Sequence, residues 1–552
     1  MIAAGLIAAG AGLLVLIAGR VHLMLHLFQL EHYEPARLRV WVERRGLRVD
    51  AARLGLCAAG GVALVIVTAA DLDVLVLILG LAAGGALAAS GLALIRRPQT
   101  KPLAFTARAR RLFALALALP ALVLVLAAVA ALAGAPAGLV PGVGVLTGLA
   151  GVVLAPELLI LANRALRPIQ ALDNRRFLRR AVARLSEVDP LVVGITGSFG
   201  KTTTKACVAA VAELRGPAYA TPASFNSHLG VVRAINEGLS AKHRSFIVEM
   251  GAYRRGDVAE LCELVHPRIG VLTAIGPAHL ERFGSLDEIE RAKGELAEAL
   301  PADGTFVTNA DDERCVRVTE RTRASVVLFS AAASQAAEIG AHDITMAEGT
   351  TRFTLTRRST GEQVAVRSKL LGRHNVANLL AAAAVGVSME LPLDAIARSL
   401  ARVTPPAHRL APILNPQAGI VVIDDAYNSN PVGAAAALEV LASHQAERRL
   451  LVTPGMVELG EREAEENERF GTQAAAVCDL VVLVGEERSR PILDGLNAAS
   501  FPSAQVHVVA NASEAQALLA KTTRRGDVVL FENDLPDLYA EDGNGSGSMF
   551  SP

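Results

Sequence analysis

Thr196-Gly197-Ser198-Phe199-Gly200-Lys201-Thr202-Thr203 is the stretch of this chain best suited to hold negative charge. Apolar β-formers from Leu191 to Ile195 run into a turn with two glycines, and Lys-Thr then opens a helical run. Glycines let backbone N–H groups close on phosphate oxygens, a helix N-terminus adds partial positive charge, and the lysine adds a full one. Thr202 stands where a hydroxyl can ligate Mg2+. The spacing is shorter than the common G-x-x-x-x-G-K-[ST], because position 195 is isoleucine, and it reads T-G-S-x-G-K-T. Thr196, Gly197, Ser198, Gly200, Lys201, Thr202 and Thr203 therefore form the candidate cradle for the phosphates of a nucleoside triphosphate.

Three further residues could do chemistry, and each has a plainer alternative. Glu249 ends the strand-like run Ser245-Phe246-Ile247-Val248, where a carboxylate can either hold Mg2+ or cap a helix. His279 follows another such run, Ile269–Ala274, as a ligand or as a structural histidine. Lys293, in Arg291-Ala292-Lys293-Gly294-Glu295, reads by itself as an exposed helix lysine.

The elements that must position these residues fall into two halves. The 552 residues exceed one domain, and 52% of them are hydrophobic. The apolar content is concentrated at the N-terminus, with candidate spans at about 2–19, 54–70, 74–95, 112–134 and 138–162. The segment 54–70 is the weakest, being short and interrupted by Gly55, Gly60 and Gly61. Basic residues crowd 20–53 (Arg20, Arg37, Arg39, Arg44, Arg45, Arg48, Arg53) and 96–111 (Arg96, Arg97, Lys101, Arg108, Arg110, Arg111), whereas 71–73 and 135–137 carry none. The positive-inside rule then predicts five spans with the N-terminus outside and everything after about 165 in the cytoplasm. Membrane lipids are the implied partner of this half, and a multi-pass plasma-membrane location follows. Glu157, His22 and His26 are too few ionisable groups for an ion pathway, so the spans read as an anchor. Two basic-apolar segments, Phe28–Trp41 and Ile169–Arg180, read as interfacial helices, or as a docking site for a polyprenyl-linked substrate or a partner enzyme.

Beyond a juxtamembrane linker at 166–190 the pattern becomes β/α alternation. Strands are expected at Leu191–Ile195, Ser245–Glu249, Ile269–Ala274 and Thr305–Thr308, with a hairpin over Arg352–Leu370. After Arg402-Val403-Thr404-Pro405-Pro406 a second series begins, with strands at Ile420–Asp424, Arg449–Thr453, Leu480–Val484, Gln505–Val509 and Val528–Phe531. The fold class expected is an α-helical membrane region (1–165) followed by α/β. That α/β part comprises a P-loop ATP-binding domain at 191–402 and a doubly wound, Rossmann-like domain at 403–540, with a disordered tail at 541–552. Lys+Arg and Asp+Glu balance at 54 each, and aromatics are 4%, so no nucleic-acid partner is expected. Cys57, Cys207, Cys262, Cys315 and Cys478 have no metal-ligand spacing and read as small buried hydrophobes.

Several further motifs occur in one order: Phe225-Asn226-Ser227-His228-Leu229-Gly230, Glu249-Met250-Gly251, Ile275–Glu281, Ala292-Lys293-Gly294-Glu295, Asn309-Ala310-Asp311-Asp312, Gly372-Arg373-His374-Asn375-Val376-Ala377-Asn378, and Asp424-Asp425-Ala426-Tyr427-Asn428-Ser429-Asn430-Pro431. With the glycine loop they resemble the Mur ligases of peptidoglycan synthesis over about 190–530. Within that family they are most similar to the members that add D-alanyl-D-alanine to a UDP-N-acetylmuramoyl-tripeptide. The resemblance implies an ADP-forming ligase that makes an amide through an acyl phosphate, with ATP and two Mg2+ ions. It implies that Lys201 meets the β/γ-phosphates, that Thr202 and Glu249 hold one Mg2+ and His279 the second, and that Lys293 is carbamoylated to orient metal. It places Asn375 at the adenine and Arg409 and Asp424 at the nucleotide. Asp424, Tyr427, Asn428 and Asn430 would line the cleft for the incoming amine, and Asn226 and Ser227 would meet the nucleotide-sugar.

The departures are also legible. Only about 28 residues separate the last candidate span from the glycine loop, leaving no room there for the UDP-holding domain usual in the family. The family's Gly-Asp-Met-Leu-Glu-Leu-Gly reads Pro454-Gly455-Met456-Val457-Glu458-Leu459-Gly460, and its Lys-Gly-Ser reads Glu532-Asn533-Asp534. The substrates implied are a small-molecule or lipid-linked peptide precursor and an amino acid or dipeptide. A ligase of another wall or capsule polymer is the alternative, and an idle scaffold that recruits cell-wall enzymes is a third reading.

Overall fold

The computed structural model describes residues 2–31, 33–43, 47–70, 72–96, 103–134, 139–223, 225–347, 349–415, 417, 419–427 and 429–534. Asn428, the tail from 541, and parts of the loops at 44–46, 97–102 and 135–138 lie outside the described residues. The chain divides into two compact units, one ending at Asn174 and the next beginning at Arg175.

The first unit is helical: α1 (Ile2–Leu30), α2 (Pro35–Trp41), α3 (Leu47–Ala69), α4 (Asp73–Ile95), α5 (Ala107–Leu132), α6 (Leu139–Val153) and the start of α7 (Ala155–Val188). Four of these, α1, α3 from Ala52, α4 and α5, are long and apolar enough to cross a bilayer. Ile66, Leu119 and Leu126 on their outer faces are well exposed, which suits a surface bathed in hydrocarbon. α1 and α4 run parallel, as alternation with α3 between them requires, and glycines bring their backbones together. A Cβ on Gly12 would stand 2.1 Å from the Gly84 carbonyl oxygen, and one on Gly80 would stand 2.2 Å from that of Gly5. Small residues serve this way where apolar burial gives helices no drive to associate. Glu157, the acid of the last apolar stretch, is held by Arg39 through two 2.9 Å hydrogen bonds.

Two sequence expectations change here. The stretch 138–162 is not one rod, because α6 and α7 meet at Leu154 with a 72° bend. The 15 residues of α6 rise about 22 Å, short of a hydrocarbon core of about 30 Å. Nor is 166–190 a separate linker. Helix-forming Ala, Leu and Arg run through it, and α7 continues unbroken to Val188.

The second unit holds two sheets. The first takes strands β1 (Leu191–Thr196), β2 (Ala218–Ala220), β3 (Ser245–Glu249), β4 (Ile269–Leu272), β5 (Thr305–Asn309), β6 (Ser325–Ser330), β7 (Ile339–Ala347), β8 (Thr350–Arg357) and β9 (Glu362–Ser368) in the order β2-β3-β1-β4-β5-β6-β7-β8-β9. It is parallel as far as β7, and the expected hairpin closes it as antiparallel β8 and β9. The helices are α8 (Lys201–Ala212), α9 (His228–Gly238), α10 (Asp257–Val265), α11 (Leu280–Phe283), α12 (Leu286–Ala299), α13 (Glu313–Val318), α14 (Arg373–Ser388) and α15 (Leu393–Leu400). One face of the sheet packs Val193, Ile195 and Val271 on α8, α14 and α15, and the other packs Phe246, Val248 and Phe306 on α9, α10 and α12. Burial on both faces explains why these strands read as continuous apolar runs.

The second sheet has the order β10-β11-β15-β12-β13-β14. Its strands are β10 (Ala411–Asn415), β11 (Ile420–Asp425), β12 (Arg448–Thr453), β13 (Leu480–Val484), β14 (Val506–Val509) and β15 (Asp527–Glu532). Helices α16 (Pro431–Ser443), α17 (Glu463–Ala475), α18 (Glu486–Ala498) and α19 (Ala512–Thr522) connect them. Only β10, at the edge, is antiparallel. In both sheets the residues of interest stand just past the C-terminal strand ends, where such folds leave a crevice.

Candidate functional site

The glycine loop joins β1 to α8 and is held from three sides. Ser198 donates its N–H to Ala274 O at 2.8 Å and its hydroxyl to Gly276 O at 2.9 Å. Thr273 donates its hydroxyl to Phe199 O at 2.5 Å. Gly197 (φ +150°) and Gly200 (φ +81°) are the two positions where only glycine fits. A Cβ on the first would stand 1.9 Å from Thr273 Oγ1, and on the second 2.4 Å from Asn378 Oδ1. Lys201 folds back on the loop, donating to Gly197 O at 2.8 Å and Ser198 O at 3.3 Å. Its Nζ thus already stands among carbonyls that a phosphate would displace. Burial, opposed by Glu249 and reinforced by Arg409, pulls its ammonium down to about 8.

Register places Glu249 opposite Ile195, one residue before the loop strand ends. Its carboxylate is buried, with Lys205 Nζ 2.9 Å from Oε2 and Asn226 Nδ2 donating to Oε1 at 3.0 Å. Burial would raise its pKa, but Lys205 and then Lys201 outweigh that and hold it below the usual carboxylate range. It caps no helix. Lys293 is not the exposed lysine of the plain reading: it is 3% exposed on the inner face of α12. Its Nζ lies 6.0 Å from the Phe283 ring centre, and among the described residues it has no hydrogen-bond or ion-pair partner. Burial, then the Lys201 charge, drives its pKa well below that of an ordinary lysine. Lys201 thus lies within electrostatic reach of Glu249 and Lys293 of its own domain and of Arg409 of the next.

His279 occupies a left-handed backbone (φ +55°) at the start of α11. Its Nδ1 meets Glu458 Oε2 of the C-terminal domain, and the Tyr253 ring stands 5.0 Å away, edge-on. The donors available to Mg2+ are therefore a Thr202 hydroxyl, a deprotonated Glu249 and an imidazole. This hard, mostly oxygen set fits Mg2+ when phosphates and water complete the shell. Among the described residues no three His, Cys, Asp or Glu side chains converge as a cage.

Other expected site residues have different work in this structure. Thr196 donates its hydroxyl to Met250 O at 2.9 Å, bracing the strand end. Thr203 is buried, while Thr202 is partly open. Asn375 is buried beneath the loop. It donates to Leu371 O at 2.7 Å and accepts from Asn378 at 2.9 Å, and Thr204 continues the network by donating to Asn378 at 3.1 Å. Asn226 supports Glu249, and Ser227 is exposed at the head of α9. Asn430 caps α16 by accepting from Gly433 N at 3.0 Å, so a substrate role must share that group.

At the mouth of the second sheet the Arg409 guanidinium lies 4.3 Å over the Tyr427 ring, and Tyr427 is exposed. Asp424 is buried, its Oδ2 2.8 Å from His408 Nδ1. Asp425 pairs with Glu532 across β11 and β15. Burial pushes Asp425 up to about 6, while burial and the Asp425 charge push Glu532 well above the carboxylate range. Ser429 donates to Glu532 at 2.6 Å. Sequence reasoning missed Lys205, Thr273, Asn378 and the partner role of Glu458. Lys205 alone had a local signal, lying one helical turn after Lys201.

Comparison with known proteins adds three findings. The Mur ligase middle domain matches residues 195–386, and the Mur ligase glutamate ligase domain matches residues 408–532. UDP-N-acetylmuramoyl-tripeptide--D-alanyl-D-alanine ligase of Mycobacterium tuberculosis is 36% identical over 360 residues, covering 61% of this chain and 69% of that protein. The Escherichia coli protein of the same name is 34% identical over 302 residues, 54% of this chain and 66% of its own. Among solved structures, MurF from Acinetobacter baumannii superposes with a TM-score of 0.59 at 25% identity, covering 66% of this chain and 78% of that one. MurF ligase from Thermotoga maritima in complex with ADP shares the fold at a TM-score of 0.58 and 24% identity, covering 66% and 81%.

Proposed function

Because this chain belongs to the Mur ligase family, we propose that it is an ATP-dependent ligase that joins D-alanyl-D-alanine to a muramoyl-tripeptide precursor in the assembly of the cell wall. The γ-phosphoryl of ATP passes to the tripeptide carboxylate, and ADP leaves. The incoming amine attacks the acyl carbon of the resulting acyl phosphate. The tetrahedral adduct expels inorganic phosphate, and loss of the amine proton leaves the amide. Such a transfer depends on positioning and on neutralising charge around the moving phosphoryl group.

The observation that carries the reading is a preformed glycine loop with Lys201 folded onto its carbonyls and within electrostatic reach of the buried Glu249 and Lys293. Lys201 would exchange its two loop carbonyls for the β/γ-phosphates. Thr202 and Glu249 would hold one Mg2+ and His279 a second, and the ions would supply the remaining charge neutralisation. Lys293 is suited to carbamoylation, because a neutral amine adds to CO2 with loss of one proton and so turns a lysine into a carboxylate. Arg409, Asp424, Tyr427, Asn428 and Asn430 would bound the cleft for nucleotide and amine. Asn226 and Ser227 would flank the precursor, and Asn375 would support the nucleotide site from beneath. We assign the domains as a membrane-anchoring helical region, a central ATP-binding domain and a C-terminal domain that receives the amine.

A second reading concerns how the precursor arrives. α7 leads from the apolar helices to within two residues of β1, which leaves no space between them for a domain that grips UDP. The carboxylate substrate would then be a lipid-linked precursor presented at the bilayer. Phosphate release by detergent-solubilised full-length protein distinguishes the two readings. Release with UDP-MurNAc-tripeptide and D-alanyl-D-alanine supports the first, and release only with the lipid-linked precursor supports the second. No release with either overturns the ligase assignment. Exposure to 13C-bicarbonate followed by NMR should show a carbamate signal that Lys293→Arg removes.

A further inference from the structure

Glu458 reaches His279 from the opposite domain, and the contact is built rather than incidental. The Glu458 carboxylate takes His279 Nδ1 on Oε2, and Arg282 Nη2 stands 4.0 Å from Oε1. Main chain reinforces side chain, because Glu281 donates its N–H to Glu458 O at 3.3 Å. The Arg282 guanidinium lies 4.6 Å over the Tyr253 ring, and that ring packs edge-on against the imidazole. Both partners adopt left-handed backbones that cost non-glycine residues free energy: φ is +55° at His279 and +65° at Glu458. Paired strain of this kind persists where the surroundings over-determine a geometry, and it gathers at functional sites.

We propose that Glu458 is the positioning residue for His279, so that docking of the C-terminal domain prepares the imidazole to receive a divalent cation. A carboxylate on Nδ1 fixes the ring proton there and leaves the lone pair on Nε2. This is how carboxylates orient metal-binding histidines and raise their basicity. Here the orienting group belongs to a different domain from the ligand, so cation affinity reports domain docking. Glu458 is the glutamate of Gly455-Met456-Val457-Glu458-Leu459-Gly460, a loop that otherwise has no assigned task. The proposal rests on the assignment of His279 to Mg2+ made above.

The test uses full-length protein in detergent with ADP, titrated with Mn2+ as a paramagnetic probe and followed by electron paramagnetic resonance. Glu458→Ala should weaken one Mn2+ site by about 10–100-fold. In the ligase assay it should raise the Mg2+ requirement and leave the KM for ATP near that of the wild type. Glu458→Gln, whose amide oxygen still accepts from Nδ1–H, should recover most of the loss. Unchanged Mn2+ binding in Glu458→Ala, or a loss in Glu458→Gln as large as in Glu458→Ala, overturns the positioning role. His279→Ala separates the two levels. If it too leaves Mn2+ binding unchanged, the His279 assignment has failed, whereas a loss there beside an unaffected Glu458→Ala sinks the positioning role alone.

Discussion

Replacing Lys205 with methionine should unfold the central domain more readily than any surface change, and the reason lies in what it leaves behind. The Lys205 and Glu249 side chains are only 7% and 3% exposed, with Nζ and Oε2 2.9 Å apart. Methionine fills similar space but supplies no charge, so a buried carboxylate keeps only Asn226 and the more distant Lys201. Breaking one half of a buried pair costs roughly 3–5 kcal/mol. For a domain of about 200 residues melting on its own, that is a Tm lower by about 6–20 °C. The assay is thermal denaturation of full-length protein in detergent at pH 7. Glu249→Gln added to Lys205→Met should recover much of the loss, because the unpaired charge goes with it. pH provides a second handle. Glu249 is held below the usual carboxylate range, so the pair stabilises above that range and is lost as pH falls through the lowered folded value. The gap between wild type and variant should therefore close on acidification. A Tm within a degree or two of wild type at pH 7 would refute the buried pair, as would a gap that widened in acid.

Gly197→Ala forces a Cβ to 1.9 Å from Thr273 Oγ1 at φ +150°. It should cut ADP formation at least 100-fold while circular dichroism stays native, and retention of half the activity would argue against the phosphate loop. Lys201→Ala should abolish turnover without altering membrane insertion, read by phosphate release and flotation. Since burial holds Lys201 to about 8, ATP affinity measured calorimetrically should decline as pH rises through that value and the ammonium is lost. Burial and the Asp425 charge raise Glu532 well above the usual carboxylate range. A carboxyl raised this way loses stability as pH rises from the unfolded carboxylate value towards the folded one, so Glu532→Gln, which cannot ionise, should lose less Tm than wild type over that rise.

The sequence exposed the parallel strands well, because strands buried on both faces show as uninterrupted apolar runs. Val192–Ile195 and Phe246–Val248 are such runs, and both are buried in the core. Edge elements were harder to read. β2 has three residues and β10 is antiparallel at a rim, so neither carries a run long enough to mark it. The loop lysine was plain from its glycines, whereas the burial of Lys293 was not. One helix face looks like another until the sheet it packs on is known. Glu458 was invisible as a partner of His279 because 179 residues separate them and only docking of two domains makes them neighbours. The bend at Leu154 escaped notice for a related reason: hydropathy registers apolar length but not the direction of the chain.

The exchange of Lys-Gly-Ser for Glu532-Asn533-Asp534 looks like an inversion of charge, and the structure gives two of the new residues work of their own. Asn533 takes the left-handed backbone (φ +69°) that a glycine would adopt, and asparagine is among the few residues that tolerate it. Its amide donates to Gly455 O at 2.7 Å and so ties β15 to the loop that carries Glu458. Glu532 is buried, burial and the Asp425 charge raise it well above the carboxylate range, and Ser429 donates to it at 2.6 Å. Arg409 lies over exposed Tyr427 at the mouth of the same sheet. A cleft that loses a lysine and retains this arginine still favours an anionic end on the entering amine. A carboxylate-bearing dipeptide has that end. Ligase turnover should therefore fall more when the dipeptide carboxylate is amidated than when its side-chain methyls are enlarged. The reverse order would mean that Arg409 serves the nucleotide alone.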